Sequence, residues 1–249
     1  MKRLWQSFLG AVAFMTRLPV PRKLQMGPDD LSGSAVFFPI VGLLVGGGAI
    51  VVNHVLSRFV PHAVVVVIVL VFLVAITGGL HEDALADAAD GFGGGWGKEQ
   101  VLNIMRDSRV GSFGALATAL ALLARFVFLA NLLPQKFDSY LVAGQVACRW
   151  TALPLAFSLP PAREGSGQGA RVAGKITTLS LVTGTLLTVL ILGVTLGMKA
   201  LWVALAAGVV TGASGAYYHR RIGGVTGDCL GATNQLTEVA VYFAGVVLR

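Results

Sequence analysis

Apolar residues gather in long runs broken by short polar connections. Seven stretches, near 35–57, 62–80, 111–133, 139–160, 177–197, 200–218 and 230–248, come close to the ~20 residues a helix needs to cross a hydrocarbon core. The clearest runs from Pro61 to Leu80, where His62 is the one ionisable side chain before an unbroken Val/Ile/Leu/Phe run. The last is weakened by Asn234, Gln235 and Glu238. Leu4 to Leu18 is apolar but short, carries Arg17 near its end, and is followed by Pro19 and Pro21, so it reads as an interfacial helix. No small-residue cleavage site marks it as a signal peptide, and no repeat of fixed period is visible. The pattern predicts one all-α domain over residues 1–249. It is a polytopic integral membrane helix bundle of about seven transmembrane helices plus an N-terminal interfacial helix.

Composition sharpens this. Of 249 residues, 55% are hydrophobic and 12% charged, half the ~25% of a soluble domain. Mean hydropathy is +0.76. These values exclude a disordered chain, a soluble dinucleotide-binding enzyme and a disulfide-stapled secreted module. Cys148 and Cys229 stand far apart and suggest neither a disulfide nor a metal knuckle. The net charge of +7 is read first as the bias of a membrane protein, with the lipid bilayer and not nucleic acid as the partner. With seven spans, one face collects Lys2, Arg3, Arg17, Arg22, Lys23, Lys98, Arg106, Arg109, Arg163, Arg171, Lys175, Arg220 and Arg221. The other holds Arg58, Lys136, Lys199 and Arg249, while Arg125 and Arg149 fall inside spans. The face rich in Lys and Arg is expected to be cytoplasmic.

Polar islands fall on that same face, at 81–110 and 219–229. Asp83, Asp87 and Asp90 follow one another by four and three residues, which places them on one face of a helix. Stacked carboxylates repel unless a cation lies between them, and all-oxygen ligands suit Mg2+. Glu82 is rotated about 100° away from Asp83 and is expected to be dispensable. Gly91, Gly93, Gly94, Gly95 and Gly97 form either a loop whose N–H groups meet phosphate oxygens or a hinge that ends the helix. Arg106, Asp107, Ser108 and Arg109 are suited to clamp a diphosphate, or to cap the next helix. Asp228 lies in a second Gly-rich turn, and Asn234 and Glu238 follow inside a span. An intramembrane carboxylate is a functional candidate; its bland alternative is an ion pair with Arg125 or Arg149. Asp228 is expected near the acidic helix across a shared pocket.

Four segments resemble one family in its own order. Gly78 to Gly91, GGLHEDALADAADG, is similar to the G-G-L-H-x-D-G-L-A-D-x-x-D-G motif of the cobalamin synthases, the adenosylcobinamide-GDP ribazoletransferases. Met105 to Gly114, MRDSRVGSFG, resembles that family's M-[KR]-D-S-[RH]-x-G-x-[FY]-G. Phe14 to Pro21, FMTRLPVP, with Phe38 to Gly42, FPIVG, looks like its N-terminal signature, and Gly223 to Glu238 is similar to its G-[GL]-x-T-G-D-x-L-G-A…E segment. Ala84 stands where the family often has Gly, which bears on backbone packing rather than on the carboxylates. The resemblance implies a multi-pass protein of the bacterial cytoplasmic membrane whose site faces the cytoplasm. It implies Mg2+-dependent transfer of adenosylcobinamide phosphate from adenosylcobinamide-GDP to α-ribazole, or its 5′-phosphate, with release of GMP. On this reading Asp83, Asp87 and Asp90 hold the metal, and His81, Asp107, Arg109 and Asp228 are catalytic. Gly93, Gly94, Arg106, Ser108, Asn234 and Glu238 bind substrate; a homo-oligomer stays open.

Two other readings compete. A CDP-alcohol phosphotransferase also uses several Asp residues at a membrane face, but its motif needs Arg soon after the first Asp-Gly. Here Asp90-Gly91 is followed by Phe92-Gly93-Gly94-Gly95. A cation-coupled transporter would use Asp83, Asp87 and Glu238 as ion sites near the bilayer midplane.

Overall fold

The computed structural model describes residues 2–21, 31–163 and 175–248. Arg22, Lys23, Arg171 and Arg249 of the sidedness argument lie outside the described residues. Within them the chain is helical and has no strand: α1 (Lys2–Met15), α2 (Leu31–Ser34), α3 (Phe38–Leu56), α4 (His62–Thr77), α5 (Leu80–Gly94), α6 (Lys98–Ile104), α7 (Ser112–Ala130), α8 (Pro134–Trp150), α9 (Ala152–Ser158), α10 (Thr178–Leu196), α11 (Ala200–Ile222) and α12 (Gly227–Val247).

Contacts sort the helix termini into two ends. At one, Asn53 of α3 donates to Asp138 of α8, His62 of α4 packs edge-on to Phe137, and Lys136 and Lys199 both donate to the Leu248 carbonyl. At the other, Phe14 stacks on Phe38, the Arg17 N–H bonds the Ile76 carbonyl, Arg221 reaches the Gly95 carbonyl and Arg163 reaches that of Leu102. Among the described residues the chain thus passes seven times between the ends, on α3, α4, α7, α8 with α9, α10, α11 and α12. The seven apolar segments recur as these passes.

By length and composition alone, three stretches among the described residues are fit to cross a membrane: Ser32–Leu56, Ser112–Ala130 and the run Thr178–Ile222, which contains α10 and α11. A fourth is added if α4 and α5, bent by 85°, count as one span. The segment expected at 62–80 is shorter because Gly78 and Gly79 both adopt left-handed backbone (φ 68° and 71°), where a Cβ would be strained. Their N–H groups close α4 on the carbonyls of Ala75 and Val74. The segment expected at 139–160 starts earlier, at Pro134, and divides at Thr151. It and α12 carry polar residues inward, which lowers their apolar character.

Outward faces are apolar at helical spacing. Leu116, Leu120, Leu123 and Val127 on α7 are exposed, as are Leu179, Val182, Leu186 and Val189 on α10, in the manner of lipid-facing side chains. Inside, small residues set the helix spacing, because packing and not water exclusion joins helices in lipid. Gly42 lets α3 approach the α8 backbone at Gln145, and Gly144 lets α8 receive the Tyr242 ring of α12. The N-terminal α1 is too short to span and rests Phe8 on Phe37, with Leu4 and Trp5 exposed, as an interfacial helix does.

Candidate active site

Helix α5 begins inside the bundle, where Glu82 meets Arg125, and ends against the start of α7. Helix α12 runs along it. Gly231 faces Ala84 so closely that no side chain fits between them. This crossing brings the first turn of α12 beside the exposed Asp83 and the half-buried Asp87. Thr226 fixes that turn, accepting from the Cys229 N–H at 3.2 Å and donating to Asp228 Oδ2 at 3.2 Å. Burial, then the charges of Asp83, Asp228 and Asp90, push the Asp87 carboxyl up to about 6. Burial raises Asp228 as well, opposed by Arg163 and by the Thr226 hydroxyl, with Asp83 adding to the rise. Asp83, Asp87 and Asp228 therefore form one electrostatic unit, as the expected convergence requires.

Arg163 completes this mouth, and sequence reasoning counted it only as a basic residue of the cytoplasmic face. Its Nη2 lies 4.0 Å from Asp228 Oδ2 and donates to the Leu102 carbonyl at 2.8 Å. Its charge also acts on Asp87 and is opposed by that of Arg106. The backbone places it. Ala162 N–H donates to the Val225 carbonyl and Val225 N–H to that of Pro160, so residue 163 is carried beside the Thr226 turn. The one sequence signal is a positive charge shortly after Pro160-Pro161, which rigidify the chain.

Asp90 departs from the expected set. It is buried, and its oxygens accept from the Gly111 N–H at 2.7 Å and the Gly114 N–H at 2.8 Å. It thus satisfies orphan donors at the N-terminus of α7, where a carboxylate also meets the helix dipole. The glycine run is also corrected. Gly91, Gly93 and Gly94 belong to the last turns of α5. Their N–H groups lie within a helix and do not make the expected phosphate cradle. Glycine is required because Met105, the Phe113 ring and Val101 occupy the space a Cβ would take at 91, 93 and 95. Arg221, lying over the rings of Phe92 and Tyr217, closes this end by donating to the Phe92 and Gly95 carbonyls.

Asp107 and Arg109 sit together on an exposed turn. The guanidinium chelates the carboxylate, with Arg109 Nη2 to Asp107 Oδ2 at 2.6 Å and Nε to Oδ1 at 3.0 Å. These bonds hold the Asp107 carboxyl down at about 2. Arg106 and Ser108 are exposed on the same turn. The expected clamp residues thus share one exposed turn, with Arg109 engaged by Asp107.

The deeper candidates belong to a buried polar network instead. Arg125 bonds Glu82 at 2.9 Å, Glu238 at 3.0 Å and the Gln235 side chain at 3.0 Å. Gln145 and Tyr242 donate to the same Glu238 oxygen, and Arg149 donates to Gln145. Glu238 is therefore the partner of Arg125, the bland alternative of the sequence reading. Glu82 does point away from Asp83, and its carboxylate is committed to Arg125. His81 is buried in the field of Arg149 and Arg125, and Asn234 is buried along α12.

No group of three or more His, Cys, Asp or Glu residues is preset to hold a metal among the described residues. The mouth still suits Mg2+, which takes one or two carboxylates and completes its shell with water and substrate phosphates. Three mutually repelling carboxylates with one loosely paired arginine leave negative charge for a cation to neutralise.

The class is a membrane helix bundle with a carboxylate-and-arginine mouth at one end. More narrowly, the chain belongs to the family described as cobalamin-5-phosphate synthase, which matches residues 7–246. A protein of Shewanella pealeana named adenosylcobinamide-GDP ribazoletransferase is 37% identical over 255 residues, covering 98% of this chain and 97% of that protein. One of the same name from Shewanella amazonensis is 38% identical over 267 residues, covering 99% and 97%. No solved structure matches.

Proposed function

We propose that this chain performs the nucleotide-loop assembly step of cobalamin biosynthesis. Adenosylcobinamide-GDP reacts with α-ribazole, or its 5′-phosphate, to give adenosylcobalamin, or its 5′-phosphate, and GMP. Near-full-length likeness to proteins named for this activity supports the reaction. The observation that carries the site is the meeting of Asp83 and Asp87 of α5 with Asp228 of α12 and with Arg163.

Phosphoryl transfer asks a protein for alignment and charge neutralisation. A ribose hydroxyl attacks the phosphorus next to cobinamide, a new P–O bond forms, the bond to the GMP phosphate oxygen breaks, and the hydroxyl proton passes to water. Asp83, Asp87 and Asp228 would hold Mg2+, which supplies neutralisation of the diphosphate charge. Arg163 and Arg106 would bind the phosphate oxygens, and Arg109 would join them when released by Asp107. The bend at Gly78-Gly79 seats α5 so that its acids open toward the end where Lys98, Arg106, Arg109, Arg163, Arg220 and Arg221 collect. That charge bias supports a site facing the cytoplasm of a bacterial inner membrane. Glu238, the deep acid a cation-coupled transporter would use, is neutralised by Arg125.

Purified protein in vesicles, given adenosylcobinamide-GDP, α-ribazole and Mg2+, should release GMP and stop on addition of EDTA. GMP release unaffected by EDTA would exclude the metal, and no GMP release would exclude the reaction.

A further inference from the structure

Arg163 is poorly satisfied for a partly desolvated guanidinium. Its side chain is 20% exposed. One Nη2 donor is used by the Leu102 carbonyl, while Nε is buried without a hydrogen-bond partner among the described residues. Its carboxylate partner stands at 4.0 Å, beyond hydrogen-bond reach, although Asp228 already accepts from Thr226. The guanidinium has five donors in a fixed fork. Here it faces a carboxylate cluster without closing on it, fixed from behind by the Pro161–Val225 bridge.

We propose that Arg163 and a divalent cation compete for Asp228, and that the Arg163 guanidinium binds the substrate's diphosphate once the cation has taken that carboxylate. This rests on the metal site assigned above. Two positive groups cannot share one carboxylate without repelling each other, so each weakens the other's hold on it. The fork of Arg163 matches two oxygens of a diphosphate, and its Nε has no competing acceptor among the described residues. Metal and nucleotide then bind with positive coupling: the cation frees the arginine and the arginine retains the nucleotide. Lysine cannot substitute fully, because it carries the charge but not the fork.

The test uses the full-length protein in detergent, with Mn2+ alone as metal probe and GDP as diphosphate probe. Mn2+ binding is followed by electron paramagnetic resonance. Arg163→Gln should bind Mn2+ about three- to tenfold more tightly than wild type, the size expected from removing one partly screened charge. In saturating Mg2+ it should bind GDP at least ~10-fold more weakly, as loss of a charge-assisted pair predicts. Arg163→Lys should keep wild-type Mn2+ affinity and still lose GDP affinity. That second variant decides the proposal if Arg163→Gln does not fold. Wild-type Mn2+ and GDP affinities in both variants would overturn the role of Arg163 while leaving the metal site standing. Wild-type protein that binds no Mn2+ would overturn the metal site and this proposal with it.

Discussion

Gly231 on α12 and Ala84 on α5 touch so closely that a methyl group on Gly231 would overlap that of Ala84. This contact sets how near Asp228 comes to Asp83 and Asp87. Gly231→Ala should therefore lower both melting temperature and GMP release, with overpacking costing about 1–3 kcal/mol against the smaller helix-propensity gain of Ala. Adding Ala84→Gly should restore much of the loss. A Gly231→Ala variant as stable and active as wild type would show that the two helices are free to separate.

The three aspartates of α5 should divide by readout. Asp83→Asn and Asp87→Asn should each lower GMP release in Mg2+ by ~100-fold or more without lowering the melting temperature, since a lost metal ligand costs several kcal/mol in the transition state. Asp90→Asn should instead lower stability by about 1–3 kcal/mol, because an amide cannot accept from both Gly111 and Gly114 as a carboxylate does. Thermal denaturation beside GMP assays separates the two classes.

Arg125 holds two carboxylates in the bundle interior. Removing either side of a buried ion pair leaves an uncompensated charge and costs about 3–5 kcal/mol. Arg125→Met should destabilise more than Glu82→Gln, because it strands both Glu82 and Glu238. Thermal or denaturant unfolding in detergent micelles ranks them, and the reverse order would show that the Gln145 and Tyr242 bonds hold Glu238 without Arg125.

The raised carboxyl of Asp87 sets a pH window. Its folded value, about 6, lies above its ordinary value of 3.8, so the folded protein holds a proton that the unfolded chain has lost. Stability in EDTA should therefore fall as pH rises from about 4 to about 6. Asp228 is shifted in the same direction and adds to this slope. Mg2+ should flatten it, and Asp87→Asn should reduce it. Melting temperatures across about pH 4 to 7, with and without Mg2+, check the sign.

Several features were legible from one-dimensional pattern. Apolar length placed the seven passes, and the four-residue step from Asp83 to Asp87 placed both acids at one mouth. Asp228 could be paired with them because both islands fall at the basic end. Asp90 could not be separated from its neighbours, since helical spacing tells which face a residue shares but not where α7 lands on that face. The glycines at 91–95 read as a loop by intrinsic propensity, yet the packing of Phe113, Met105 and Val101 over their missing side chains outweighs it. Arg163 was invisible as a site residue because a backbone bridge to Val225, far along the sequence, is what brings it to Asp228.

Metal-directed cleavage tests the shared carboxylate mouth most directly. Fe2+ in place of Mg2+, with ascorbate and peroxide, generates hydroxyl radicals that cut backbone close to the bound ion. Cuts are expected near both 83–87 and 226–228, suppressed by excess Mg2+ and lost in Asp87→Asn. Cuts confined to one of these segments, or undiminished by Mg2+, would contradict a metal site built jointly by α5 and α12.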